Sequence, residues 1–118
     1  MNFRALAENL DMEEGEFLEM MGLFLKTSIS NLSQLQAAID QGDGQKAMIA
    51  MHSIKGAALN LGLMEIYEVA RKTEMEAREN NLNEVAMATR VIREKLDRIA
   101  ESLVEYSKLK VHSEKVKQ

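Results

Sequence analysis

Two side chains in this sequence can act as a neutral nucleophile near pH 7: His52 and His112, and there is no cysteine. His52 lies in the run AMHSIKGAALNLG, from Ala50 to Gly62; His112 lies in the C-terminal run KLKVHSEKVKQ. If the first run is helical, Lys55 and Gly56 follow His52 by three and four residues and flank its ring on one face. Met48 and Leu59 extend that face by one turn each way. An unperturbed imidazole has a pKa of about 6.5, so its neutral, nucleophilic form is available near pH 7. If the ring attacks a phosphoryl group, two negative charges arrive on a ring nitrogen. A Lys one turn away neutralises part of that as a compact point charge. A Gly leaves room where a side chain would crowd the phosphate or an approaching protein. Apolar residues at the rim let a partner bury surface around the chemistry.

Each residue also has a plainer explanation. A single His or Lys on a helix is commonly a solvated side chain. Gly56 is harder to dismiss, since Gly in a helix interior costs about 0.5–1 kcal/mol relative to Ala. A mid-helix Gly marks close approach, either by a neighbouring helix, which Ala57 and Ala58 would also serve, or by a partner. A metal centre or a hydrolytic enzyme finds little support. No third ligand or base is spaced to join the two histidines, and without cysteine neither a thiolate zinc site nor a disulfide can form.

The elements that position this strip follow from composition and spacing. The 118 residues include no Pro, Cys or Trp, and they are rich in Ala, Leu, Met, Glu, Lys and Gln, a strong bias to helix. Residues 1–106 read as one helical bundle domain, and 107–118 as a polar tail expected to fray. Met1 to Asn9 form a turn or two with Phe3, Leu6 and Leu10 apolar. Asp11, with Glu14 three residues on, predicts a capped helix that ends at Gly42, with Leu18, Met21, Leu25, Leu32, Leu35 and Ile39 on one face. Asp43 caps the next helix, about Gly44 to Leu61, whose buried stripe is Ala47, Met51, Ile54, Ala58 and Leu61. After a break at Gly62, a further helix turns Ile66, Ala70, Thr73 and Ala77 inward. Asn80-Asn81 marks a turn, and Asn81 or Asn83 caps the last helix, with Val85, Thr89, Ile92, Leu96, Ile99, Leu103 and Tyr106 three and four apart. Short connections make successive helices antiparallel neighbours, so the fold expected is all-α: an up-down-up-down four-helix bundle with a short extra N-terminal helix.

If the turn near Gly62-Leu63 folds two helices back on each other, His52 faces residues 72 to 75. Glu74 lies there, and Arg78, four residues on, shares its face. Glu74 would accept from an imidazole N–H or pair with Lys55, and Arg78 would add positive potential. The same two residues also fit an ordinary exposed helical ion pair worth a few tenths of a kcal/mol.

HSIKGAALNLG resembles the signature of the histidine-containing phosphotransfer (HPt) domain: His, two residues, Lys-Gly, a small residue, then Asn before a Gly. ARKTEMEAR resembles the family's next helix, which carries an acidic residue or Gln followed by a basic one. The specific part of the resemblance is Met48 to Arg78, and its architecture extends over about residues 14 to 106. It implies that His52 is phosphorylated, that Lys55 lies beside the phosphate and that Gly56 leaves it room. Glu74 and Arg78 support the site, and Met48 and Leu59 belong to the docking face. Some members carry Gln where this chain has Glu74; a carboxylate would repel a phosphate, which points Glu74 towards orienting the ring or pairing with Lys55 or Arg78. Ala57 stands where a Ser is often found.

The implied activity is a phosphorelay. The domain takes a phosphoryl group from the aspartyl phosphate of a response-regulator receiver domain and passes it to an aspartate of another, as a phosphocarrier with no nucleotide site of its own. Its partners are receiver domains or a hybrid sensor histidine kinase. Mg²⁺ comes from the receiver's acidic pocket and no cofactor is bound by this chain. A net charge of −4 without a clustered basic face disfavours nucleic acid. No long apolar run suits a membrane span or a signal peptide, so a cytoplasmic monomer is expected. A different class of reading is a plain interaction bundle in which His52 is incidental, suggested by apolar Phe17, Met20 and Phe24 on the first long helix.

Overall fold

A computed structural model describes the backbone of residues 1–117 and the side chains of residues 1–110. The described residues form five helices and no strand: α1 (Phe3–Asn9), α2 (Glu14–Asp40), α3 (Gly44–Asn60), α4 (Met64–Arg78) and α5 (Leu82–Lys117). Helix α2 packs on α3, α3 on α4, α4 on α5, and α5 returns to α2, while α1 lies against α2.

One turn geometry recurs between all of them. The residue just past each helix is left-handed: Asp11 (φ 54°), Gly42 (φ 69°), Gly62 (φ 73°) and Asn80 (φ 60°). In each case the following N–H bonds back to a carbonyl in the last turn, as in Met12 to Ala7, Asp43 to Ala38, Leu63 to Ala58 and Asn81 to Glu76. These are Schellman closures, which satisfy carbonyls the helix leaves unpaired. Gly, Asn and Asp are the residues that enter this region at least cost. Each connection takes three or four residues, and each helix packs against its predecessor.

Asp11 is therefore not a helix N-cap. It is consumed in closing α1, and α2 instead starts after Glu13, whose side chain makes no capping bond. Acidic Glu14 and Glu16 in the first turn of α2 favour the positive end of the helix dipole. Asp43 does cap α3, accepting from the Lys46 N–H at 3.1 Å. Asn81 precedes α5 and its carbonyl takes the first bond of that helix, from Val85; Asn83 lies inside the helix.

The core face of α2 is turned by about one residue from the expected one. Phe17, Met21, Phe24, Leu32, Leu35 and Ala38 are buried, whereas Leu18, Leu25 and Ile39 are only partly so. Phe17 and Phe24 thus serve the core, and of the three residues that suggested an interaction bundle only Met20 is exposed. On α3 the whole expected stripe is buried, with Ala50 added; on α4, Ile66, Ala70, Thr73 and Ala77 are joined by Glu74. On α5, Val85, Thr89, Ile92, Leu96 and Ile99 are buried and Leu103 and Tyr106 partly so. Phe3 of α1 meets Tyr106 edge-on, with ring centres 5.5 Å apart, and fastens the short helix to α5. Helix α5 continues past Tyr106 to Lys117. The side chains of residues 111–118, His112 among them, lie outside the described residues.

Gly44 opens α3 against the end of α4. A Cβ there would stand 2.5 Å from the Ala77 carbonyl oxygen and collide with the Asn80 side chain. The Gly44 N–H donates to Asn80 Oδ1 at 2.9 Å, so the bare backbone is what lets the two elements touch.

Candidate functional site

Helices α3 and α4 run alongside in opposite directions. Gly44, at the start of α3, meets Asn80, just past the end of α4, and eight residues further along α3 His52 meets Glu74. His52 follows fully buried Met51 and precedes fully buried Ile54 by two, so its ring leaves the helix at the edge of the core stripe. Its side chain is 66% exposed.

The ring is held from one side. His52 Nδ1 lies 2.8 Å from Glu74 Oε1, and Lys55 Nζ lies 2.5 Å from Glu74 Oε2. The Glu74 side chain is only 10% exposed and that of Lys55 24%. Burial by itself raises the Glu74 carboxyl, but the hydrogen bonds from Lys55 and His52 and the charges of both outweigh it and hold the carboxyl below its usual range. Glu74 is therefore an ionised acceptor at neutral pH, and His52 Nδ1 is the donor. In the neutral ring the lone pair then falls on Nε2, the nitrogen not engaged by Glu74. The arrangement fixes the ring's tautomer and its orientation together.

Around the ring the surface is bare and apolar. A Cβ placed on Gly56 meets no atom within 4 Å. No neighbouring helix needs the glycine, which removes the internal explanation for it. Met48 is partly buried and Leu59 exposed. Exposed Ile49 and Met75 add to the apolar surface on the same two helices. Neither stands out in the sequence, although Ile49 stands three residues before His52 and Met75 follows Glu74. The structure brings His52, Lys55 and Glu74 together; it does not bring in Arg78. That residue is exposed, one turn beyond Glu74, and no hydrogen bond or ion pair joins it to the three among the described residues.

The site is an open surface. An open cavity of about 400 Å³ between α1, the start of α4 and α5 is lined by Leu6, Leu63, Ile66, Lys95, Arg98 and Ile99 among others, and His52 takes no part in it. Among the described residues no group of three or more His, Asp or Glu could hold a metal ion, and no helix is long and apolar enough to cross a membrane. An imidazole on open surface is accessible to a reactant presented by another molecule.

The family model for the Hpt domain matches residues 19–102. The fold is similar to the crystal structure of histidine-containing phosphotransfer protein B (HptB) from Pseudomonas aeruginosa PAO1, with a TM-score of 0.77 at 23% identity, covering 90% of this chain and 92% of that one. No curated protein matches the chain. Because the family model spans well over half of the 118 residues, the chain belongs to the Hpt domain family.

Proposed function

We propose that His52 is the phosphoryl-carrying residue of this histidine phosphotransfer domain, and that Nε2 is the atom that carries the group. The observation that supports it best is a ring whose Nδ1 is bound by buried Glu74 while the ring itself is two-thirds exposed. That combination leaves one nitrogen with its lone pair directed outward. The donor is the aspartyl phosphate of a response-regulator receiver domain, and the acceptor is the aspartate of another. A hybrid sensor histidine kinase is a fitting source of such a receiver.

The chemistry is in-line displacement. The Nε2 lone pair attacks phosphorus, the N–P bond forms, and the P–O bond to the receiver's aspartate breaks, its electron pair leaving with the carboxylate. Most of the charge stabilisation belongs to Mg²⁺ in the receiver's acidic pocket. This chain supplies an oriented nucleophile, the nearby ammonium of Lys55, and room at Gly56 for the receiver to close over the ring. Met48, Ile49 and Leu59 form the apolar rim on which the receiver rests. Arg78, further along α4, lends positive potential at longer range. Affinity is modest, because a relay must release each partner in turn.

The fold that goes with this function is an up-down-up-down bundle of α2 to α5 with α1 as an extra N-terminal helix. Three-residue connections between α2, α3, α4 and α5 support it, as does the opposite run of α3 and α4. Residues 1–106 make up the functional domain, acting as a cytoplasmic monomer, and 107–118 are dispensable for transfer.

The test is incubation with a phosphorylated receiver domain. Label should appear on the wild type as acid-labile, base-stable phosphate and be absent from His52→Gln. Label retained on His52→Gln would refute the assignment.

A further inference from the structure

How long a phosphoryl group stays on His52 depends on what holds the ring's other nitrogen. Both oxygens of Glu74 are engaged, Oε1 by His52 Nδ1 at 2.8 Å and Oε2 by Lys55 Nζ at 2.5 Å. Loading at Nε2 does not touch the Nδ1 proton. The phosphorylated ring that keeps this proton is positively charged. In onward transfer the N–P bond breaks and its electrons return to Nε2, while a new P–O bond forms to the accepting aspartate. If Nδ1 is still protonated, the group that leaves is neutral imidazole. If the proton has been lost, the group that leaves is imidazolate, a far poorer leaving group. A buried carboxylate in contact with Nδ1 favours the protonated ring.

The same carboxylate governs the nearest cation. An ammonium resting on the phosphoryl oxygens would stabilise the loaded state. Lys55 instead rests on Glu74, so the phosphoryl group must compete for it. The charged groups bonded to the ring or to its carboxylate are Lys55 from α3 and Glu74 from α4. Arg78, on the next turn of α4, bonds to neither.

We propose that Glu74 is a positioning residue that keeps phospho-His52 short-lived, by retaining the Nδ1 proton on the phosphorylated ring and by holding Lys55 away from the phosphoryl group. The proposal rests on His52 being the carrier, and it makes the domain a fast relay instead of a phosphate store.

The experiment uses the full chain, labelled from a phosphorylated receiver and then separated from it. Loss of label in buffer and transfer to a fresh receiver are timed for the wild type, Glu74→Gln, Lys55→Met and the double variant. Gln has the shape of Glu and carries no charge; it accepts from Nδ1–H of the unphosphorylated ring and can donate its amide N–H to a bare Nδ1 of the phosphorylated one. Label on Glu74→Gln should persist about tenfold longer, and its onward transfer should slow by a similar factor, the size expected when one charge contact in a partly solvated site is removed. Lys55→Met should shorten the lifetime more in the Glu74→Gln background than in the wild type, because Lys55 reaches the phosphoryl group once the carboxylate charge is gone. ¹⁵N NMR at a single pH should find the Nδ1 proton in the phosphorylated wild type and not in phosphorylated Glu74→Gln, a difference that loss of packing alone would not produce. Equal lifetimes for wild type and Glu74→Gln, or a folded Glu74→Gln that accepts no label, overturn the proposal while His52 stands as the carrier. A wild type that takes no label, or a His52→Gln that does, overturns both.

Discussion

Replacing Gly56 by Leu should stabilise the protein and slow its phosphoryl transfer. Gly56 is helical and interior to α3, and a Cβ built on it meets nothing within 4 Å. The first carbon of the new side chain therefore meets no neighbour, and the helix gains the difference in propensity between Gly and Leu, about 0.5–1 kcal/mol. For a domain of this size that raises Tm by about 2–6 °C. The open space exists only in the isolated protein. Once a receiver closes over the adjacent ring, the four added carbons sit one helical turn from His52, in the interface. Overfilling a close-packed contact typically costs about 1–3 kcal/mol, which slows transfer by about 5- to 150-fold. The assay pairs thermal denaturation followed by circular dichroism with the single-turnover rate of label transfer from a phosphorylated receiver. Gly56→Ala, with one added carbon, should keep most of the stability gain and lose less of the rate. Two results would count against an open docking position at Gly56. A lowered Tm would mean that Gly56 has an internal packing role after all. A raised Tm with undiminished transfer would mean that the docked receiver does not approach this position.

The other glycine of α3 should behave in the opposite way. Gly44→Ala presses a Cβ to within 2.5 Å of the Ala77 carbonyl oxygen; a loss of about 1–3 kcal/mol in unfolding free energy by denaturant titration is expected, against no loss if the α3–α4 contact gives way easily. Asn80 holds a left-handed backbone and accepts the Gly44 N–H. Asn80→Gly keeps the backbone and loses the bond, costing about 1 kcal/mol, and Asn80→Ala costs about 1 kcal/mol more by losing both, as urea unfolding would read. Glu74 is held below its ordinary carboxyl range in the folded protein. Its pairing therefore contributes stability above the unfolded value, and that contribution is lost as pH falls from the ordinary carboxylate range through the lower folded value. Glu74→Gln should flatten that acid limb of the stability profile, and an unchanged limb would mean that the pairing adds nothing.

The local code for the turns was plain in the sequence. Gly42, Gly62 and Asn80-Asn81 break the helical pattern where the helices do end, because left-handed closures need residues that tolerate positive φ. The stripe of α3 and that of α5 were equally legible, since three- and four-residue spacing alone decides which side chains share a face. Asp11 misled because Asp suits both a helix N-cap and a left-handed closure, and the local sequence does not say which neighbouring helix will use it. The one-residue rotation of α2 was hidden for a related reason. Its apolar residues cover more than half the circumference, so both Phe17 and Leu18 fit a stripe, and only packing against α3, α5 and α1 chooses between them.

At the site, the sequence alone determined that His52, Lys55 and Gly56 share one face of one helix, because helical geometry fixes neighbours three and four residues apart. How those residues are used depends on the packing of α4 against α3. Glu74 reaches both His52 and Lys55 because α4 lies against α3 in one particular register, set by the closure at Gly62 and the close contact of Gly44 with Asn80. Arg78 is on the same helix face as Glu74 by spacing, yet one turn is enough to take it out of bonding range. Whether Gly56 is bare for a neighbour or for a visitor depends on what surrounds it in space, and no pattern along a single chain carries that information.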